Sequence, residues 1–271
     1  MAVARDSYRI VIITTRLARV CAASAVLIGA LATASPALAQ NDKWQVDVAP
    51  LYFWASELDG RISVGDKSVP VFMEFSDAKD KLAGAFAFHL EARKNRWGFL
   101  TDVNFVRLST DTTFTTPILS RPVTGTAKLD NTIFEVGASY LVKPEKNFAV
   151  IGGLRTYTLA PTLTFEGDLR QLTPLDTSKT AVSAFGGFTY RPKLTNKWTF
   201  LSRADIGGGQ AFTWGGMLGF EYRFKPWGGA MFGYRALGID TGNASAATTN
   251  VEYKMTHYGP IFSLAFHWAQ K

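Results

Sequence analysis

Cysteine is almost missing from this chain: its 271 residues include one, Cys21. A single cysteine allows no disulfide framework, and past residue 21 there is no thiol nucleophile or cysteine metal site. Histidine is scarce as well, with His89, His257 and His267 the full set. No two of them stand close together beside a carboxylate, so the spacing supports no metal site and no cofactor is expected. Beyond the first residues the chain has no run apolar enough to span a bilayer as a helix, no proline-rich linker, no tandem repeat and no low-complexity tract, which leaves room for one domain.

A strong excess of one charge is also lacking once the N-terminal segment is set apart. Arg5, Arg9, Arg16 and Arg19 precede the apolar run Val20 to Ala32, and Ala37-Leu38-Ala39 follows before Gln40. A basic start, a short apolar stretch and a small-residue cleavage site predict a signal peptide over 1–39, with the mature domain at 40–271. Cys21 precedes most of the apolar run, whereas a lipoprotein cysteine would follow it. Removing four arginines and one aspartate from the 29 basic and 22 acidic residues leaves 25 and 21. So small a surplus gives no argument for a nucleic-acid partner.

What the chain has in abundance is alternation. From His257 to Trp268, Tyr258, Phe262, Leu264, Phe266 and Trp268 take one face and His257, Gly259, Ser263, Ala265 and His267 the other. A soluble sheet turns its bulky face to a core; a transmembrane barrel turns it to lipid and fills its lumen with the small or polar face. Ten segments follow this period, at about Trp44 to Trp54, Ala83 to Lys94, Trp97 to Leu108, Leu129 to Val142, Asn147 to Leu159, Thr180 to Arg191, Lys197 to Ile206, Thr213 to Phe224, Gly228 to Asp240 and Val251 to Trp268. Most have the length a tilted strand needs to cross a bilayer. The expected fold is all-β: a transmembrane antiparallel up-and-down β-barrel of about ten strands, with 8 to 12 the range of such patterning.

The connections divide by length. Asn95-Arg96, Lys143 to Lys146, Pro192 to Asn196 and Lys225 to Trp227 are short; Ala55 to Leu82, Ser109 to Lys128 and Ala160 to Lys179 are long. Short turns belong on the periplasmic side and long loops outside, which places both termini in the periplasm and requires an even strand number. Tryptophans offer a check independent of the strand assignment. Trp44, Trp97, Trp198, Trp227 and Trp268 fall at periplasmic ends and Trp54 and Trp214 at external ends, as two membrane-interface girdles would require.

On the inward face, parity selects Glu91, Asp102, Glu135, Arg155, Arg203, Asp205 and Glu221, with Arg235 from a strand that alternates less well. Charges of both signs in a narrow interior should pair, because an unpaired one is costly there. They could form a polar filling or line a narrow aqueous path. Barrels of about eight strands are filled by side chains and wide pores need about sixteen, so ten strands favour the filling.

No constellation points to catalysis. Ser263 and His257 share a face but stand six residues apart, roughly 20 Å along a strand, too far for a nucleophile and its base. The paired external acids with Asp-His of an omptin-like protease and the local His and Ser pattern of barrel lipid hydrolases find no match. Gly207-Gly208-Gly209 lacks the following Lys-Ser/Thr of a phosphate loop and is read as a tight external turn, and Asn243-Ala244-Ser245 as a polar loop tip. In the first long loop, Ile62 and Val64 can pair across Gly65 to Ser68 with Val69 and Val71, extending the wall, before an amphipathic stretch at Asp77 to Leu82. Such a loop caps the barrel or meets a surface partner.

Several stretches resemble a poorly characterised group of small proteobacterial outer-membrane barrel proteins, allied in form to OmpW-like and OmpA-like barrels. They are Tyr52-Phe53-Trp54 with Leu58-Asp59-Gly60, Arg96-Trp97-Gly98-Phe99 with Asp102, Asp205-Ile206-Gly207-Gly208, Gly233-Tyr234-Arg235 and Gly259-Pro260. His257, Gly259, Phe262 and Leu264 also resemble the terminal-strand signature by which such proteins are recognised for insertion, although the chain ends Trp268-Ala269-Gln270-Lys271 and not on an aromatic residue. The resemblance implies a barrel in the outer membrane of a Gram-negative bacterium, in contact with outer-membrane lipids, lipopolysaccharide and the assembly machinery, and no assigned activity. The expectation is a non-enzymatic structural or surface-interaction role with a plugged lumen; passive passage of small or apolar solutes is the alternative, and barrel hydrolysis a distant third.

Overall fold

The computed structural model describes residues 43–50, 52–64, 67–115, 122–165, 175–176, 178–242 and 251–269, all within one compact unit. The expected signal peptide and the Asn243-Ala244-Ser245 triplet lie outside these residues. Fourteen strands are described: β1 (Gln45–Ala49), β2 (Tyr52–Trp54), β3 (Glu57–Val64), β4 (Lys67–Met73), β5 (Leu82–Lys94), β6 (Trp97–Thr115), β7 (Pro122–Lys143), β8 (Phe148–Phe165), β9 (Leu175–Asp176), β10 (Lys179–Tyr190), β11 (Trp198–Gly209), β12 (Phe212–Lys225), β13 (Gly228–Asp240) and β14 (Val251–Ala269). Antiparallel ladders link β1, β5, β6, β7, β8, β10, β11, β12, β13 and β14 in that order, and β14 returns to β1, with Asp47 opposite His267. The result is a closed barrel of ten staves, the first of which is β1, β2 and β3 in succession along β14.

The turns follow local chemistry. Lys94 pairs with Trp97 across Asn95, whose positive φ of 58° suits the tight hairpin and an asparagine. Asn147, at φ 49°, ends the short 3-10 turn Pro144–Lys146. The external connections contain more strand than the sequence suggested. β6 and β7 pair out to Thr115 and Pro122, and β8 runs to Phe165, because their threonine-rich extensions prolong the ladder beyond the apolar band. Gly207, Gly208 and Gly209 close β11, and the turn falls just after them.

The outward face is apolar around the barrel: Phe134, Leu154, Phe188, Leu218, Phe232 and Leu264 are all exposed and all share the outward parity. A continuous exposed belt of this kind, on a closed sheet without free edges over most of its circumference, is a surface for lipid. The chain is a transmembrane barrel of the outer-membrane type, with its short turns on one side and its long hairpins on the other.

One tryptophan departs from the girdle reading. Trp54 is 7% exposed and faces the lumen, its ring 4.8 Å from the Arg235 guanidinium. Asp47 opposes His267 and Tyr52 opposes Ser263, so the first stave takes one more step than β14 over this stretch. That difference in count reverses the inward parity from Asp47 and Ala49 to Tyr52 and Trp54, as a β-bulge does. Trp44, Trp97, Trp198, Trp227 and Trp268 are exposed at the short-turn end, and Trp214 is exposed near the other.

The first long loop also differs in detail. β3 and β4 pair Ile62 with Val69 and Val64 with Lys67, a register tighter than the turn Gly65 to Ser68 allows. The amphipathic stretch is a short helix at Phe75–Asp80, ending before Leu82.

Candidate functional site

The lumen is built from three layers. At mid-barrel, side chains from β2, β5, β6, β7, β8, β11, β12 and β13 converge on one ionic network. Arg155 donates from Nε to Glu135 at 2.8 Å, from one terminal nitrogen to Asp205 at 2.7 Å and from the other to Thr213 Oγ1 at 3.1 Å. Arg203 donates to Asp205 and to Glu135, each at 2.8 Å. Arg235 reaches Asp102 at 3.1 Å and Glu135 at 3.4 Å, and donates to the Tyr52 hydroxyl at 3.0 Å. Tyr52 in turn donates to Asp102 at 2.9 Å, and His89 Nδ1 lies 3.1 Å from the other oxygen of Asp102. Three arginines face three carboxylates, so the layer balances without a mobile counterion. Phe185 lies beneath both Arg155 and Arg203, with centroid distances of 5.0 and 5.3 Å, which adds cation–π contact where no water need enter.

Packing depends on small neighbours. A Cβ added at Gly215 would stand 2.9 Å from Asp205 Oδ2, and that carboxylate cannot swing away while two arginines hold it. Gly215→Ala is therefore expected to cost about 1–3 kcal/mol as overpacking does, read as a lower denaturant midpoint for loss of the folded band on unheated gels. An unchanged midpoint would show that the carboxylate relaxes freely.

Nearer the short-turn rim is a second ionic layer. Arg191 pairs with Glu91, Arg93 with Asp47 at 3.5 Å, and His267 lies 2.7 Å from Asp47 and 2.8 Å from Glu221. Arg223 is 3.4 Å from Glu221. Of the eight residues expected to pair in the lumen, the structure brings Asp102, Glu135, Arg155, Arg203, Asp205 and Arg235 together at mid-barrel and leaves Glu91 and Glu221 in this lower layer. A cavity of about 120 Å³ lies between the two, bounded by residues of both.

The third layer, on the side of the long hairpins, is largely apolar. Ile133, Tyr157, Leu237, Ile239, Tyr253 and Met255 are each at most 2% exposed although all point into the barrel. Inward parity on a membrane strand is commonly polar, so this apolar plug was not expected from the sequence. Asp47, Arg191 and Tyr52 also escaped the sequence reading, since their partners are dozens to hundreds of residues away. Only the parity of Asp47 with Ala49 could have signalled one of them.

The histidines form no triad with a carboxylate and nucleophile among the described residues. His257 contacts the Tyr157 hydroxyl at 3.2 Å, Asn131 Nδ2 at 3.4 Å and Ser56 Oγ at 3.4 Å. The serine contact is longer than an activated nucleophile needs, and no acid among the described residues orients the ring. Among the described residues no group of three His, Cys, Asp or Glu side chains is arranged to hold a metal ion.

No protein-family model and no curated protein sequence matches the chain. Solved structures that resemble it are barrels. The attachment invasion locus protein Ail of Yersinia pestis, in complex with the heparin analogue sucrose octasulfate, is 9% identical with a TM-score of 0.38, covering 83% of this chain and 98% of its own. The outer membrane protease OmpT from Escherichia coli is 7% identical with a TM-score of 0.46, covering 87% and 100%. The translocator domain of the autotransporter NalP from Neisseria meningitidis is 11% identical with a TM-score of 0.43, covering 99% and 100%.

Proposed function

We propose that this chain is a non-enzymatic barrel of the Gram-negative outer membrane with a structural or surface-interaction role, its lumen closed to ions by side chains. The observation that carries the reading is the mid-barrel network: three arginines and three acids bonded across the lumen with balanced charge, and an apolar plug stacked directly on it. A hydrated ion crossing this section would have to break charge-assisted bonds and then enter a largely apolar layer, and both steps oppose conduction. The long hairpins of β6, β7 and β8 stand above the apolar belt, where a surface partner would meet them. The leader over 1–39 supplies export, and the alternating terminal strand supplies the feature for the assembly machinery to recognise.

Planar-bilayer recording with the purified, heat-modifiable protein tests this. The expected result is no steady conductance at ionic strengths where wide-pore porins conduct. A large steady current from the unaltered protein would overturn the closed reading and favour passive solute passage. Outer-membrane fractionation, with faster gel migration before boiling than after, tests the location; recovery of the native protein as a soluble periplasmic species would sink it.

A further inference from the structure

The barrel wall is not laddered to its full height. β1 pairs with β5 only from Gln45 with Arg93 up to Ala49 with His89. Above that level β2 and β3 follow β14, and β4 pairs with the other edge of β3. Among the described residues, β5 from Leu82 to Phe88 therefore has no ladder partner on its β1 side. In a membrane, bare backbone of this kind is tolerated where it lines a cavity and not where it meets lipid directly. A cavity of about 190 Å³ lies there. Its lining passes from one face of the wall to the other: Phe53 and Phe86 are outward residues, about half exposed, while Ala87, Asn131, Leu159 and His257 face the lumen. The short helix Phe75–Asp80 closes over the gap, with Phe75 edge-on to Phe53 at a centroid distance of 5.5 Å.

The two ends of this cavity differ in chemistry. The mouth is aromatic and faces hydrocarbon. Two residues of the lumen side of the lining carry buried polar atoms without protein partners: Trp54, whose indole Nε1 is a donor on a side chain more than nine-tenths buried, and Asn131, whose amide Oδ1 is an acceptor. Buried polar atoms left unpaired are uncommon and each asks for a partner. Among the described residues, Lys79, on the covering helix, is the only lysine or arginine in the lining.

We propose that the gap between β2 and β5 is a lateral entrance from the lipid and that the cavity behind it binds a single-chain amphiphile, with its hydrocarbon tail between Phe53 and Phe86 and an uncharged hydrogen-bonding head at Trp54 and Asn131. A hydroxyl head has the chemistry for either group, accepting from the indole or donating to the amide oxygen. The cavity meets the ionic network at Tyr52 and Trp54, but none of the network's arginines or carboxylates lines it, so an uncharged occupant is compatible with a lumen closed to ions.

The probe is 2-bromododecan-1-ol, whose bromine next to the head quenches tryptophan on contact, added to the full barrel in phospholipid nanodiscs. The difference in quenching between the unaltered protein and Trp54→Phe isolates Trp54 from the lipid-facing indoles. The expected result is a saturable Trp54 component, displaced by unbrominated dodecan-1-ol. Ala85→Phe fills the cavity from the unpaired strand and should weaken binding by at least about tenfold. Asn131→Leu removes the acceptor and should weaken it about fivefold. Each variant is first checked for heat-modifiable migration. 2-Bromododecanoic acid, ionised at neutral pH, should bind more weakly than the alcohol. A Trp54 component that rises linearly with probe, or is absent, would overturn the proposal even if neither variant folds. So would unchanged affinity in a folded Ala85→Phe barrel, or equal affinity for the acid.

Discussion

Glu135→Ala is expected to destabilise the barrel more than any other single truncation in the lumen. Glu135 is fully buried and receives bonds from Arg155, Arg203 and Arg235. Without it, three guanidinium groups face only Asp102 and Asp205, and the layer carries an uncompensated positive charge in a space with little water. Removing one partner of a buried ion pair costs about 3–5 kcal/mol, because the remaining charge loses its compensation and cannot regain its hydration. Arg155→Ala should fall in the same range by stranding Glu135 and Asp205, and it also leaves the Thr213 hydroxyl without its donor. The double variant should cost less than the sum of the two, since both remove the same bond. Urea titration in detergent or lipid, following the folded band on unheated gels, measures all three. A loss below about 0.5 kcal/mol for Glu135→Ala would mean that water already screens the layer, as it does at exposed ion pairs. The same variant in a planar bilayer should show whether the network also blocks ions, since conductance gained on removing Glu135 would locate the barrier there.

The second large effect separates the two faces of β14. Leu264 points outward and is 49% exposed to the region of lipid, whereas Ser263 points inward and is 2% exposed. Near the bilayer midplane an arginine on the lipid face costs about 2–4 kcal/mol, and a lumen position can share its charge with water or partners. Leu264→Arg should therefore impair assembly or stability more than Ser263→Arg. The structure shows what the inward arginine would meet. Ser263 borders the lower cavity, whose lining carries Asp47, Glu91 and Glu221 together with Arg191 and His267, so an arginine there enters an ionic layer where one at position 264 would enter lipid. Equal tolerance at both positions, or the reverse order, would show that β14 is registered differently or is not lipid-facing.

These two expectations rest on information of different kinds. The parity of Leu264 and Ser263 is written locally, because a strand's side chains alternate whatever the partner strand is. For the same reason the inward charges, the short turns, the ten staves and the aromatic ends could be read from residue order. The first stave shows where this fails: one more step than β14 takes reverses parity between Ala49 and Tyr52, and Trp54 turns from an expected girdle position to a lumen residue above Arg235. Nothing in the residues around it states the shift, since it is defined by what β14 opposes to it.

The sequence by itself determined that this chain forms a closed membrane barrel with charge inside and aromatics outside, because period-two patterning and turn chemistry act over neighbouring residues. The tertiary structure alone decided which charges meet, that Glu135 serves three arginines while Glu221 joins His267 at the rim, that the upper lumen is largely apolar, and that among the described residues the ladder between the first stave and β5 stops at Ala49. Each of these depends on the stagger of strands far apart in the chain, which closure of the barrel fixes and no local pattern encodes.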